Sequence, residues 1–148
     1  MTQYFEDMSV GDTHEFGTYE VTEDEIISFA EQYDPQPFHT DPDAAADSFF
    51  GSLVASGWHT AAITMRLLID HRGDDVAALG AKGIDELRWH QPVYPGDELS
   101  VRTELIEKTP EHPDRGEVRT LTETLNQDDE AVMSHVSIAM IARRDDAD

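Results

Sequence analysis

The sequence predicts an α+β fold in which one antiparallel sheet curls around a single apolar helix. Three observations predict it. The stretch from Gly57 to about Asp70 is apolar nearly all round at helical length, which calls for a helix wrapped by other structure. Four strand-like runs follow, at 78–91, 97–107, 117–127 and 131–143, separated by turn signals. A first strand over 13–21 and a short helix over 23–32 come before them, so helices and strands are segregated along the chain as in an α+β arrangement.

The elements justify themselves in order. His14 to Val21 alternate loosely, as a half-buried strand does. Thr22 and Glu25 have capping-box spacing, and Ile26, Ile27, Phe29, Ala30 and Tyr33 then recur at helical intervals. Asp34-Pro35 ends that helix, because a residue before proline is pushed out of the α region. Residues 34–56 read as a structured loop with one helical segment near Asp43 to Asp47, and loops of that length in a compact domain are usually functional. Trp58, Ala61, Ala62, Ile63, Met65, Leu67, Leu68 and Ile69 supply the apolar helix. Glu98 to Leu105 alternates most clearly, after a Pro95-Gly96-Asp97 turn. Glu111 to Gly116 reads as a hairpin loop and Asn126 to Glu130 as a further turn. The run from Ala131 to Ala142 is apolar on both faces, which places it centrally in the sheet. A single curled sheet leaves edges, so pairing with a second copy is expected.

With 148 residues the chain is sized for one domain, 1–148. It has no cysteine, which excludes disulfides, thiolate nucleophiles and cysteine metal sites. No run approaches the ~20 apolar residues of a membrane span, and the first residues lack the basic start and apolar centre of a signal peptide. A cytoplasmic protein is the expectation. Thirty-two acidic residues face 10 basic ones, for a formal charge of −22. The acids are scattered, with denser patches at Asp128-Asp129-Glu130 and Asp145-Asp146-Ala147-Asp148, so acidity is a property of the whole surface. Two lysines against eight arginines complete the pattern expected in an extreme halophile's cytoplasm, where a Debye length of about 3 Å at 1 M salt screens the repulsion. Such a field repels phosphate backbones, which excludes a nucleic-acid partner.

Chemistry concentrates in Tyr33-Asp34-Pro35-Gln36-Pro37-Phe38-His39-Thr40-Asp41-Pro42. A carboxylate and an imidazole stand five residues apart in a loop that proline stiffens. Such a pair can hold one water and pass its proton, since histidine titrates near neutrality and burial tunes a carboxylate. Turn chemistry, with the aspartate capping a backbone N–H, is the alternative reading of that spacing. The start of the apolar helix, Ala55-Ser56-Gly57-Trp58, can stabilise negative charge on a substrate oxygen through free N–H groups and the positive end of its dipole. Gly57 allows close backbone approach.

Asp34-x-Gln36-Pro37-x-His39-x-Asp41 resembles the Asp-x-Asn-Pro-x-His-x-Asp signature of MaoC-like dehydratases and R-specific enoyl-CoA hydratases. Gln91 to Leu99 is similar to their Pro-Val-x-x-Gly-Asp-x-Leu segment, and Val54 to Trp58 sits where they have a Val-x-His-Gly-Met helix entry. The resemblance covers nearly the whole chain. It implies a hot-dog fold, usually dimeric, and so a homodimer or higher homo-oligomer. It also implies an acyl-CoA thioester substrate, no cofactor, and hydration of a trans-2-enoyl thioester to the R-3-hydroxyacyl form. Asp34 and His39 would be the catalytic pair, with His39 the base on water and Asp34 the partner for the Cα proton. Gly57, Ser56 and Trp58 would form the oxyanion and substrate-binding group. Gln36 stands for the usual Asn and Ser56 for the usual His, which bears on substrate choice, and Thr64 is the nearest match for a helix serine found in relatives. An acyl-CoA thioesterase and a noncatalytic acyl-thioester-binding subunit are the rival expectations.

The seven histidines lack metal-ligand spacing, so no metal is expected. His59 follows the helix entry and reads as a packed or capping histidine sooner than a pocket residue. Arg66, Lys82, Arg88, Arg143 and Arg144 are the candidate partners for the phosphates of a CoA thioester.

Overall fold

The computed structural model describes residues 1–144; the terminal acidic run at 145–148 lies outside the described residues. After a short 3-10 turn at Phe5–Asp7 come β1 (Thr13–Glu20), α1 (Glu23–Tyr33), α2 (Pro37–Thr40), α3 (Pro42–Ala46) and α4 (Gly57–Arg72). The strands β2 (Ala78–Trp89), β3 (Glu98–His112), β4 (Arg115–Leu125) and β5 (Ala131–Ala142) follow. They form one antiparallel sheet in the order β1-β3-β4-β5-β2. β5, the strand apolar on both faces, lies inside the sheet, while β1 and β2 are its edges.

The helix α4 lies against the sheet and buries Ile63, Leu67, Thr60 and Thr64. Val21, Ile26, Leu99, Val101, Val132 and Met133 complete the core around it, each essentially inaccessible. Sidedness limits this wrapping. Trp58, Met65 and Ile69, on the opposite face of α4, remain exposed, so the sheet of one chain encloses only half of the helix that the sequence shows as apolar all round. A smaller cluster of Phe5, Met8, Leu105, Val118 and Ile141 closes the other end of the sheet. Lys108 holds it by donating to the carbonyls of Phe5 and Met8 at 2.9 and 2.6 Å.

At Gly17 β1 bends, with φ +86° and a register shift between Phe16 and Tyr19. Both the left-handed backbone and the proximity of Leu67, 3.0 Å from where a Cβ would stand, demand glycine here. The bend lets the edge strand curl over the C-terminal half of α4, where Phe16 stacks on His71.

Two local expectations are corrected. The hairpin expected at Glu111 to Gly116 is there but its loop is shorter: β3 runs to His112 and β4 starts at Arg115, because backbone pairing continues to the His112–Arg115 register. The segment 34–56 holds two short helices where one was expected, each opened by a proline at its first position, Pro37 and Pro42. Asp41 caps the second by accepting from the N–H groups of Asp43 and Ala44.

Candidate active site

α1 ends at Tyr33, and Asp34 caps it with an N–H that donates to the Ala30 carbonyl. Five residues on, His39 sits in α2 and is buried. Two backbone bonds fix the far side of this loop. The Val54 N–H donates to the Phe38 carbonyl, and the Ala55 N–H donates to Val93 at 2.9 Å. Val93 belongs to the Pro-Val-x-x-Gly-Asp turn, where Asp97 accepts from the Tyr94 N–H. The three sequence motifs therefore meet in space.

The Asp34 and His39 side chains face each other, with His39 Nε2 3.5 Å from Asp34 Oδ2. His39 Nδ1 lies 2.6 Å from the Val54 carbonyl. A carbonyl only accepts, so Nδ1 carries the proton, and in the neutral ring Nε2 presents its lone pair toward Asp34. Asp34 is held from two sides: Gln36 Nε2 donates to Oδ1 and the Ser56 hydroxyl donates to Oδ2, each at 2.7 Å. Burial alone would raise the carboxyl, but the bonds from Gln36 and Ser56, with His39 nearby, outweigh it and hold Asp34 below its ordinary range. Asp34 is therefore a carboxylate at neutral pH.

Ser56 is fully buried and has two partners, because its oxygen also accepts from the Trp58 N–H as the N-cap of α4. Its contacts are with Asp34 and the helix, not with an open surface. Gly57 is the first residue of α4, and an N–H at that position has no helical acceptor. The space a Gly57 side chain would need is filled by the Trp89 indole, against which a Cβ would collide. Trp89 Nε1 also donates to the Gly57 carbonyl at 2.9 Å. Gly57 is thus required for Trp89 to approach on the side where a Cβ would stand. Trp58 packs edge-on against Trp89 and is 58% exposed. Thr64 turns away from this group; its hydroxyl donates to the Thr60 carbonyl and pairs with Thr124 in the core.

A second polar group lies beside the first. His59 Nε2 is 3.1 Å from Glu25 Oε1, and the Tyr19 hydroxyl donates to the same oxygen. That bond, with burial, pushes the Tyr19 phenol up to about 12. Phe29 stacks on the His59 ring at 4.7 Å. These residues line a cleft of about 350 Å³ between α1 and α4 that includes neither Asp34 nor His39. His59 Nε2 is engaged by Glu25 and its Nδ1 is sealed from solvent, so this pair is braced where the Asp34–His39 pair has a nitrogen to spare. Composition gives no hint of this network; the helical spacing of Glu25 and Phe29 is its one trace in the sequence.

Among the described residues no group of three or more histidines and acids is placed to hold a metal ion. No helix among them is long and apolar enough to cross a membrane.

Residues 7–127 match the model of the MaoC-like domain. The chain is 32% identical over 147 residues to the 3-hydroxybutyryl-CoA dehydratase of Methylorubrum extorquens, covering 98% of this chain and 88% of that one. It is similar to the crystal structure of a MaoC-like dehydratase from Rhodospirillum rubrum, with TM-score 0.88, 43% identity and coverage of 97% and 99%. It is also similar to the R-hydratase PhaJ1 of Pseudomonas aeruginosa, with TM-score 0.76, 27% identity and coverage of 96% and 86%. With its five-stranded antiparallel sheet and central helix, the chain has the hot-dog fold and belongs to the MaoC-like dehydratase family.

Proposed function

We propose that the protein adds water reversibly to trans-2-enoyl-CoA, or a closely related enoyl thioester, to give the R-3-hydroxyacyl thioester. The observation that carries this reading is the geometry of Asp34 and His39: two acceptors 3.5 Å apart, on side chains that further hydrogen bonds hold in place. A water between Oδ2 and Nε2 donates to both, which leaves its oxygen lone pair directed away from the protein and raises its nucleophilicity. The water oxygen attacks Cβ of the enoyl group while His39 Nε2 takes its proton. Asp34 stays ionised and stabilises the imidazolium. Because the carboxylate brings no proton of its own, the proton delivered to Cα is the one that water gave up, handed back by the pair on the same face. That makes the addition syn. Negative charge gathers meanwhile on the thioester oxygen, where the Gly57 N–H would receive it; donors of this kind contribute about 3–4 kcal/mol.

The test follows the loss of the conjugated absorbance of crotonyl-CoA in the wild type, Asp34→Asn and His39→Gln. Loss in the wild type, without thiol release, and its abolition in both variants is the expected result. Thiol release would replace the hydratase by a thioesterase. Binding without either change would make the protein a noncatalytic acyl-thioester-binding subunit.

The same reading includes a homodimer. Trp58, Met65 and Ile69 on α4 are exposed together with Leu79 and Ile84 on the edge strand β2, and a second copy would cover both the apolar stripe and the open edge. Light scattering at twice the chain mass is expected, with Ile84→Glu shifting it to the monomer.

A further inference from the structure

The ten side-chain cations of this chain are far outnumbered by acids, and the structure accounts for nearly all of them. Arg66 pairs with Asp70, Lys82 with Glu111 and Glu117, Arg102 with Glu123, and Arg115 with Asp114. Arg119 pairs with Asp85, Arg143 with Glu6 and Arg144 with Asp7. Lys108 is spent on the carbonyls of Phe5 and Met8. Arg72 has its Nε buried without a partner at the far end of α4, about 22 Å from Gly57 at 1.5 Å per residue. Of the five cations that the sequence offers for a CoA phosphate, four are thus neutralised. The fifth, Arg88, meets no carboxylate among the described residues; its guanidinium donates only to the carbonyl of the preceding Leu87, at 2.9 Å.

In a chain of charge −22 an exposed guanidinium without a carboxylate is the exception, and its position is informative. Arg88 precedes Trp89, the residue whose indole lies on Gly57 and bonds its carbonyl. Strand alternation turns Arg88 to the face of β2 opposite Trp89, and His90 follows just past the end of the strand. Ser134 is the register partner of Arg88 on β5, and its hydroxyl lies 2.7 Å from His90 Nε2. A guanidinium, an imidazole and a hydroxyl therefore gather at the end of the edge strand, on the sheet face away from α4, where Glu123, the other register partner of Ser134, is tied to Arg102. This is the donor set that a phosphate takes, with the planar fork of arginine supplying paired N–H groups.

We infer that Arg88, with His90 and Ser134 beside it, anchors a phosphate carried by the pantetheine arm of the thioester, which leaves the site around the end of β2. The inference rests on the hydratase reading for the position of the thioester. A phosphate on such an arm has two sources, the nucleotide end of CoA and the phosphodiester of an acyl-carrier protein, and a truncation series separates them.

The experiment measures affinity by calorimetry, and KM and kcat by loss of conjugated absorbance, for crotonyl-CoA, crotonyl-4′-phosphopantetheine and crotonyl-pantetheine. Wild type, Arg88→Gln and Arg115→Gln are compared, the last making the same charge change at a cation paired with Asp114 at the β3–β4 hairpin. Arg88→Gln is expected to weaken crotonyl-CoA binding and raise its KM about tenfold with kcat kept, the size of one charge-assisted contact. It should leave crotonyl-pantetheine unchanged, and Arg115→Gln should change neither. If the Arg88 effect persists with the phosphopantetheine thioester, the anchored group is the phosphate shared with carrier proteins. If it vanishes there, the nucleotide end of CoA is what Arg88 holds. An Arg88→Gln effect that is equal on all three compounds, or absent from all, overturns the anchor while turnover in the wild type leaves the hydratase reading standing. Absence of turnover with Arg88-dependent binding retained would overturn the hydratase reading alone.

Discussion

The Ser56 hydroxyl donates to Asp34 Oδ2 at 2.7 Å while its oxygen accepts from the Trp58 N–H. One buried side chain thus joins the C-cap of α1 to the N-cap of α4, and the carboxylate of the Asp34–His39 pair is fixed by the residue that caps the helix beneath it.

Ser56→Ala removes both bonds. Loss of the cap alone costs about 1 kcal/mol, and the Asp34 carboxyl should move up toward its ordinary value of 3.8. Asp34 is depressed in the folded state, so its contribution to stability is full above that ordinary value and is lost as pH falls through the folded value. Carbon-detected NMR titration of Asp34, with melting curves from pH 7 down to 3, should show a weaker acid dependence in the variant. An unmoved Asp34 titration would mean that Ser56 does not hold the carboxylate.

Gly57→Ala should destabilise, although alanine ordinarily favours a helix over glycine. Its Cβ would collide with the Trp89 indole, and overpacking of this kind costs about 1–3 kcal/mol. Adding Trp89→Leu to the variant should recover part of the loss in chemical denaturation. Equal stability of Gly57→Ala and wild type would refute the close Gly57–Trp89 packing.

His135 is buried on β5 opposite Thr122, and its Nδ1 has no partner. Burial pushes its imidazole below the ordinary 6.5. A histidine held neutral in this way stabilises the fold above its unfolded value, and that contribution is lost as pH falls through the folded one. His135→Gln should therefore flatten the decline in melting temperature below about pH 6.5. Parallel curves for variant and wild type would place the acid sensitivity elsewhere.

Salt should stabilise the protein strongly. At −22 the surface repels itself, and raising KCl from 0.1 to 1 M shortens the Debye length from about 10 to about 3 Å. The melting temperature should climb across that range, with potassium chloride and sodium chloride acting alike. A flat response would show that ion pairs such as Lys82 with Glu111 and Glu117 already quench the repulsion.

The capping-box spacing of Thr22 and Glu25 shows how far local signals reach. Thr22 does accept from the Glu25 N–H at 3.2 Å, as the spacing predicts. The Glu25 carboxylate, however, turns to Tyr19 and His59 instead of the cap, because partners from β1 and α4 offer it more than one backbone N–H does. Nothing local in the sequence announces those partners.

Periodicity determined the elements, since the alternation of Glu98 to Leu105 and the apolar surface of Gly57 to Asp70 reflect which side chains must leave water. The spacing of Asp34, Pro37 and His39 determined that a carboxylate and an imidazole share one stiff loop. Only the tertiary structure decided what each then meets. It set Ser56 against Asp34 and Val54 against His39, filled the Gly57 space with Trp89, and left Arg88 without a carboxylate when the other candidate cations found theirs. Burial patterns are local and survive in sequence. Partners such as Ser56 for Asp34 and Trp89 for Gly57 are chosen across 22 and 32 residues of chain, by whichever donors and acceptors the packed elements bring within 3 Å.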